Sequence, residues 1–330
     1  MNSTKNNINS RRESLGFFFF FFFLFAQLFS DRRYKAPLLV GSLLCMEKQG
    51  GIVTSNLLGS ASRLLRKCLF SILSFGPMPT HIAFIMDGNR RYAKKRSIKQ
   101  GVGHRDGFTT LTSNLKYCYE MGVKYVTVYA FSIDNFKRDS SEVRFLMDLM
   151  KEKIDELLKQ DSVINRYGAR VNFWGNLDLL SEPVRSAAKE LMASTASNKG
   201  PVLSVCVAYT SADEIMHAVQ EVCRERRERL QREHGRVNGM GNETDSDVSV
   251  ADLEQHFYTA GCPDPDIVIR TSGETRLSNF LLWQSTNSHL QNPVRLWPEF
   301  SLRHLIWAIL EYQRVYSYLE DTRNLSKKNE

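Results

Sequence analysis

Three short apolar runs, each broken off by the same kind of polar, cationic segment, constrain this chain more than any other feature. Ile82 to Met86 stops at Asp87-Gly88-Asn89-Arg90-Arg91, Val126 to Phe131 stops at Ser132-Ile133-Asp134-Asn135-Phe136-Lys137-Arg138, and Ile267 to Ile269 stops at a segment holding Arg270, Ser272, Gly273, Arg276 and Ser278. Short, bounded apolar runs read as buried strands. Open α/β sheets bind ligands outside the carboxyl ends of their strands. Three strand ends of one chemical character therefore point to one shared site rather than to three solvated loops.

The residue types say what that site would hold. Gly88 lets backbone approach an anion closely, Asn89 can donate, and Arg90 and Arg91 offer charge-assisted hydrogen bonds. A single Asp beside two Arg would ordinarily be a surface ion pair. Downstream, however, the guanidinium forks of Arg270 and Arg276 and the hydroxyls of Ser272 and Ser278 surround Gly273, which is the chemistry of a diphosphate cradle. Taken with the segment from Ser132 to Arg138, this describes a pocket for more than one phosphate group.

From residue 80 onward strands and helices alternate. Further strands are expected at 124–131, 169–174, 202–208, 266–270 and 294–297, and helices at 104–121, 141–161, 182–197, from about Ala212, and at 301–318. This rhythm predicts an α/β fold: a single domain with a mainly parallel sheet flanked by helices. At 330 residues with 42% hydrophobic content, the chain can fill one sizeable core. The formal charge of +8 favours anionic partners, and basic patches interleaved with aromatics that would indicate nucleic acid are not evident. Six cysteines show no C-x-x-C pair and no zinc spacing, which suits free thiols in a reducing compartment.

The stretches Gly76 to Arg91, Val126 to Arg138, Val207 to Ser211, Asp266 to Gln284 and Leu296 to Glu299 together resemble the cis-prenyltransferase (undecaprenyl diphosphate synthase) family, in particular its eukaryotic dehydrodolichyl diphosphate synthase type. The resemblance covers roughly residues 77 to 320 and implies that family's single-domain fold. It implies condensation of isopentenyl diphosphate onto an allylic diphosphate such as farnesyl diphosphate, with Mg2+. On that basis Asp87 is the magnesium-binding carboxylate and Gly88, Asn89, Arg91 and His104 surround the allylic diphosphate. Ser132, Asn135 and Arg138 line the reacting end, and Arg270, Arg276 and Ser278 hold isopentenyl diphosphate. His104 could equally be a cap on the following helix. Phe131, Leu146, Leu149 and Trp174 are candidates for an apolar tunnel around the growing chain, with core packing as their default reading.

Three positions depart from the family pattern. Gln100 stands where relatives often place an Arg, and His289 stands where bacterial relatives carry a carboxylate. The segment Glu311 to Glu320 has no Arg-x-Gly ending. The last departure implies a partner subunit related to the Nogo-B receptor that supplies the missing element. The alternatives are a short-chain or rubber-type enzyme, or a non-catalytic scaffold subunit; the intact Asp87–Arg91 and Arg270–Ser278 segments speak for the enzyme.

The amino-terminal residues are of different material. Residues 1–45 hold a Phe-rich leader, an apolar stretch from Gly16 to Phe29 too short for a comfortable membrane span, and are expected to be absent from a working protein that starts at Met46. Residues 46–76 are expected to associate with a membrane. There Leu64, Leu65, Leu69, Ile72 and Leu73 recur at helical spacing with Arg63, Arg66 and Lys67 nearby, although a helix packed on the domain would show the same pattern. The catalytic domain spans 77–320 with a charged loop at about 224–250, and 321–330 form a polar tail. The expected location is the cytosolic face of the endoplasmic reticulum membrane, with a plastid as the alternative.

Overall fold

Strand β1 (His81–Ile85) is buried at every position, which only a strand covered on both faces and both edges achieves. In the computed structural model, which describes residues 66–234 and 248–329, it lies inside a six-stranded sheet. The other strands are β2 (Tyr125–Ser132), β3 (Arg170–Trp174), β4 (Val202–Tyr209), β5 (Ile267–Arg270) and β6 (His289–Gln291). Their order is β3-β4-β2-β1-β5-β6, and every pairing is parallel. Ile85 pairs with both Tyr129 and Arg270, so β1 and β5 end level with one another while β2, between β1 and β4, runs on to Ser132 at the same end of the sheet. The three polar segments read from the sequence therefore emerge side by side.

The connecting helices are α1 (Asn89–Lys95), α2 (Gln100–Glu120), α3 (Ser140–Leu158), α4 (Val163–Tyr167), α5 (Glu182–Thr195), α6 (Ser211–His234), α7 (Val250–Glu254) and α8 (Leu302–Asn329). Strand alternation divides the core in two. Ile82, Phe84, Val126, Val128, Phe173, Leu203, Ile267 and Ile269 pack with α2, α3, α5 and α8 on one face. Ala83, Ile85, Trp174, Cys206, Tyr209, Val268, Phe280 and Leu281 form a smaller core on the other.

Several expected boundaries differ. No strand forms at 294–297; β6 is instead His289–Gln291, and Trp297–Glu299 is a 3-10 turn. Pro293 and Pro298 flank the expected strand, and Trp297 is pinned by its amide to the Asp87 carbonyl at 2.9 Å and by its indole N–H to the Gly107 carbonyl at 2.8 Å. The helix expected to reach 161 stops at Leu158, and Ser162 caps the short α4, whose end at Gly168 has φ +57°. The expected charged loop begins later, because α6 continues to His234; the next residues lie outside those described. The expected polar tail is the end of α8, where Arg323 pairs with Asp266 at 2.8 Å.

The leader at 1–45 and residues 46–65 also lie outside the described residues. The helical residues up to 73 end with Leu73 buried and its carbonyl accepting from Gln313 at 2.8 Å, so that end packs on α8. Phe75 just beyond it is 80% exposed. Among the described residues no helix is long and apolar enough to cross a membrane.

Candidate active site

The site is organised around one carboxylate and two guanidinium groups. Asp87 follows β1 directly, and its Oδ2 accepts from the Arg270 guanidinium at 2.9 Å while Oδ1 accepts from Arg91 at 3.2 Å. Arg270 ends β5 and is 5% exposed. Its other nitrogen donates to the Ser278 hydroxyl and to the Arg276 carbonyl, both at 2.6 Å, and its Nε is buried with no partner among the described residues. Burial works against ionisation of Asp87, yet Arg270 and Arg91 together hold its carboxyl below the usual range. Asp87 is thus charged at neutral pH and available to a cation.

Gly88 makes the turn possible. Its φ of +114° lies in the region glycine favours, and a Cβ there would stand 3.0 Å from Leu296. The turn starts α1, where Asn89 donates to the Met86 carbonyl at 3.2 Å and Arg91 reaches across to the Ser272 hydroxyl at 2.5 Å. Asn89 Oδ1 is buried without a partner among the described residues. His104 on α2 likewise has a buried, unpartnered Nε2. Burial, with the charges of Arg138 and Arg90, lowers the His104 pKa, so the ring is neutral and able to donate to a phosphate oxygen. The alternative of a helix cap does not hold, since α2 starts four residues earlier with no side-chain cap.

On the β2 side, Ser132 and Asn135 form a capping box. The Ser132 amide donates to Asn135 Oδ1 at 3.1 Å, and the Asp134 amide donates to the Ser132 hydroxyl at 3.2 Å. Arg138 is held by Glu142 at 2.9 Å, which also meets Arg90 at 3.8 Å. Glu274, absent from the sequence-derived set, sits between Arg91, at 3.3 Å, and Arg276. The sequence did carry a signal for it: a lone carboxylate inside a loop otherwise rich in cations and hydroxyls.

All of Asp87, Gly88, Asn89, Arg91, His104, Ser132, Asn135, Arg138, Arg270, Arg276 and Ser278 border one cavity of about 1260 Å³. Gln100 borders it too. Beyond the polar mouth the walls turn apolar, with Leu111 and Leu115 of α2, Leu146, Leu149 and Ile154 of α3, and Phe131 on the sheet. Trp174, a candidate for this lining, has its default role and belongs to the core on the opposite face; its neighbour Phe173 lines the cavity. His289 pairs in register with Ile267 at the start of β5, so it stands at the end of the sheet away from the site.

Buried donors lacking acceptors, cationic forks and an adjoining apolar chamber define a binding site for a ligand with an anionic head and an apolar body. The comparisons agree. Residues 85–318 match the prenyltransferase family model described as undecaprenyl diphosphate synthase. The chain belongs to the cis-prenyltransferase family and is a prenyl-transferring enzyme. It is 53% identical over 290 residues to the dehydrodolichyl diphosphate synthase CPT3 of Solanum lycopersicum, covering 85% of this chain and all (100%) of the relative. It is 42% identical over 255 residues to the dehydrodolichyl diphosphate synthase complex subunit DHDDS of Homo sapiens, covering 77% and 73%. Among solved structures, lavandulyl diphosphate synthase from Lavandula x intermedia, in complex with dimethylallyl diphosphate, superimposes with a TM-score of 0.61 at 29% identity, covering 72% of this chain and 95% of that one.

Proposed function

We propose that this chain adds isopentenyl diphosphate units to an allylic diphosphate, farnesyl diphosphate, to build a long-chain polyprenyl diphosphate of the dehydrodolichyl type. The observation that carries this reading is the continuity of one cavity, from a mouth bordered by Asp87, Arg91, His104, Arg270 and Arg276 to an interior walled by Leu111, Leu115, Leu149 and Ile154. Its volume of about 1260 Å³ exceeds the roughly 300–1,000 Å³ of ordinary small-molecule pockets. A product that grows by apolar units needs such room.

Asp87 is the residue assigned to Mg2+. Among the described residues no cluster of three or more metal-ligating side chains exists. The donor set still fits, because magnesium is commonly held by one or two carboxylates, with substrate phosphates and water completing its oxygen shell. When bound, it would help neutralise charge on the departing diphosphate. Arg91 and the neutral His104 meet the same group, while Arg270, Arg276 and Ser278 hold the diphosphate of the incoming unit. Two cationic seats at adjacent strand ends bring the two substrates together, which lowers the entropic part of the barrier. Asn135 is not assigned as the base that takes the proton, because a neutral amide is a very weak base. The leaving diphosphate is the base we assign.

We further propose that the chain works as the catalytic subunit of a heteromer with a Nogo-B-receptor-like subunit, on the cytosolic face of the endoplasmic reticulum membrane. The name of the human relative, a complex subunit, supports the first part. Incorporation of labelled isopentenyl diphosphate onto farnesyl diphosphate with magnesium, using the chain alone and with such a subunit, tests the reaction and the heteromer. Long products only with the partner are expected. Short products from the chain alone would replace the dehydrodolichyl reading, and no incorporation in either case would refute the enzymatic one.

A further inference from the structure

Tyr129 belongs to none of the charged segments, yet its hydroxyl stands where three elements of the site converge. It donates to the Tyr209 carbonyl at the end of β4, at 3.0 Å, and lies 3.4 Å from the Ser278 carbonyl in the loop after β5. The Ser132 hydroxyl at the end of its own strand also interacts with it. Its ring stacks on Phe280 with centroids 4.6 Å apart and planes 18° apart. Phe280 is fully buried and follows Ser278 by two residues, so the ring grips the same loop that the hydroxyl touches.

That loop needs support. Ser278, Asn279 and Leu281 have φ of +50°, +60° and +43°, a region that L-residues other than Asn and Asp rarely enter. The strained backbone turns the Ser278 hydroxyl toward Arg270, which in turn reaches Asp87. Burial pushes the Tyr129 phenol up, so it remains protonated and a donor at any pH the enzyme meets.

We infer that Tyr129 is a positioning residue for the homoallylic substrate: its hydroxyl and ring together hold the 278–281 loop in the conformation that seats the incoming diphosphate against Arg270 and Ser278. It borders the cavity, but its hydroxyl is turned to the Tyr209 and Ser278 carbonyls, so it acts through the loop. The inference rests on the assignment of the Arg270 loop to isopentenyl diphosphate. Tyr129→Phe removes the hydroxyl and keeps the stacked ring, so the variant should fold with a Tm close to that of the wild type.

The test is steady-state kinetics with each substrate varied in turn, on the complex that shows activity. For Tyr129→Phe, KM for isopentenyl diphosphate should rise about tenfold, with KM for farnesyl diphosphate unchanged and kcat within about threefold. Phe280→Leu, which removes the ring stacked on Tyr129 together with its edge contact to Tyr209, should shift the same KM in the same direction. Unchanged KM for isopentenyl diphosphate in both variants, or an equal rise for both substrates, would overturn the inference. Ser278→Ala, measured alongside, separates this failure from a failure of the site assignment. If Ser278→Ala leaves KM for isopentenyl diphosphate unmoved, the loop is not that substrate's seat.

Discussion

Asp87→Asn keeps the shape of the central side chain and removes its charge. In the folded chain the carboxylate faces Arg270 at 2.9 Å and Arg91 at 3.2 Å; the Arg270 side chain is 5% exposed and that of Asp87 26%. Breaking a fully buried pair by deleting one charge costs about 3–5 kcal/mol. Here an amide oxygen still accepts one hydrogen bond, Arg270 keeps Ser278 and the Arg276 carbonyl, and part of the carboxylate is wet, so a loss of about 1–2 kcal/mol is expected. In a domain of this size that lowers Tm by roughly 2–8 °C. Because the Asp87 pKa is lowered by folding, the stabilisation is present above the ordinary value of 3.8 and fades as pH falls below it. The Tm gap between wild type and variant should therefore close in acid. Turnover should suffer far more, since removing one preorganised group that meets developing charge costs about 10²–10³ in kcat, and this carboxylate is also the one proposed for Mg2+. A fall of at least about 10³ in labelled isopentenyl diphosphate incorporation is expected. Retention of more than a tenth of wild-type turnover, in a variant with native circular dichroism, would refute the reasoning.

Two further outcomes follow from the same geometry. Val205 of β4 lines the apolar part of the cavity, so Val205→Phe should shift the product distribution toward shorter chains with little change in the first condensation; thin-layer sizing of products checks this, and an unshifted distribution would mean that the growing chain does not pass this wall. His81 is buried between the Pro263 carbonyl at 2.6 Å and the Thr127 hydroxyl at 2.8 Å, and burial lowers its pKa to about 4. Its contribution to stability is complete above the ordinary pKa of 6.5 and is lost as pH falls from there toward 4, so Tm should drop across that window and drop less in His81→Gln.

The strand ends were legible because period and chemistry coincide within a few consecutive residues. Asp87, Arg91, Arg270, Arg276 and Ser278 each lie within nine residues of an apolar run, and a parallel sheet leaves its ends nowhere else to go. What failed were readings that depend on phase or on a distant partner. Trp174 as a tunnel candidate is one residue out of phase, and its default reading as core holds; side chains alternate along a strand, so Phe173 faces the cavity and Trp174 the opposite core. The segment 294–297 looks like a strand by composition, whereas β6 is His-Leu-Gln, three residues with no apolar period, and becomes a strand only because β5 offers it a ladder. Tyr129 is hidden for the same reason: Ser278, whose carbonyl its hydroxyl meets, stands 149 residues away.

The loop after β5 shows how far a sequence can conceal its own strain. Four non-glycine residues there, Ser272, Ser278, Asn279 and Leu281, have positive φ, and no glycine or turn dipeptide at 278–281 announces it. The cost is offset by contacts made elsewhere in the chain. The Ser211 amide donates to the Asn279 carbonyl at 2.8 Å, the Ala212 amide to Asn279 Oδ1 at 3.2 Å, and the Leu282 amide to the Ser211 hydroxyl at 2.8 Å, so the start of α6 braces the loop from below. Behind it, fully buried Glu214 accepts from Tyr209 at 2.6 Å and from Gln284 at 3.0 Å, tying the start of α6 to the end of β4 and the far end of the loop. Strained backbone persists only where its surroundings over-determine it. In this chain those surroundings lie on the side of the sheet opposite the apolar cavity, so the smaller core around Tyr209 and Phe280 is the foundation of the loop that carries Ser278 to Arg270 as well as a packing element.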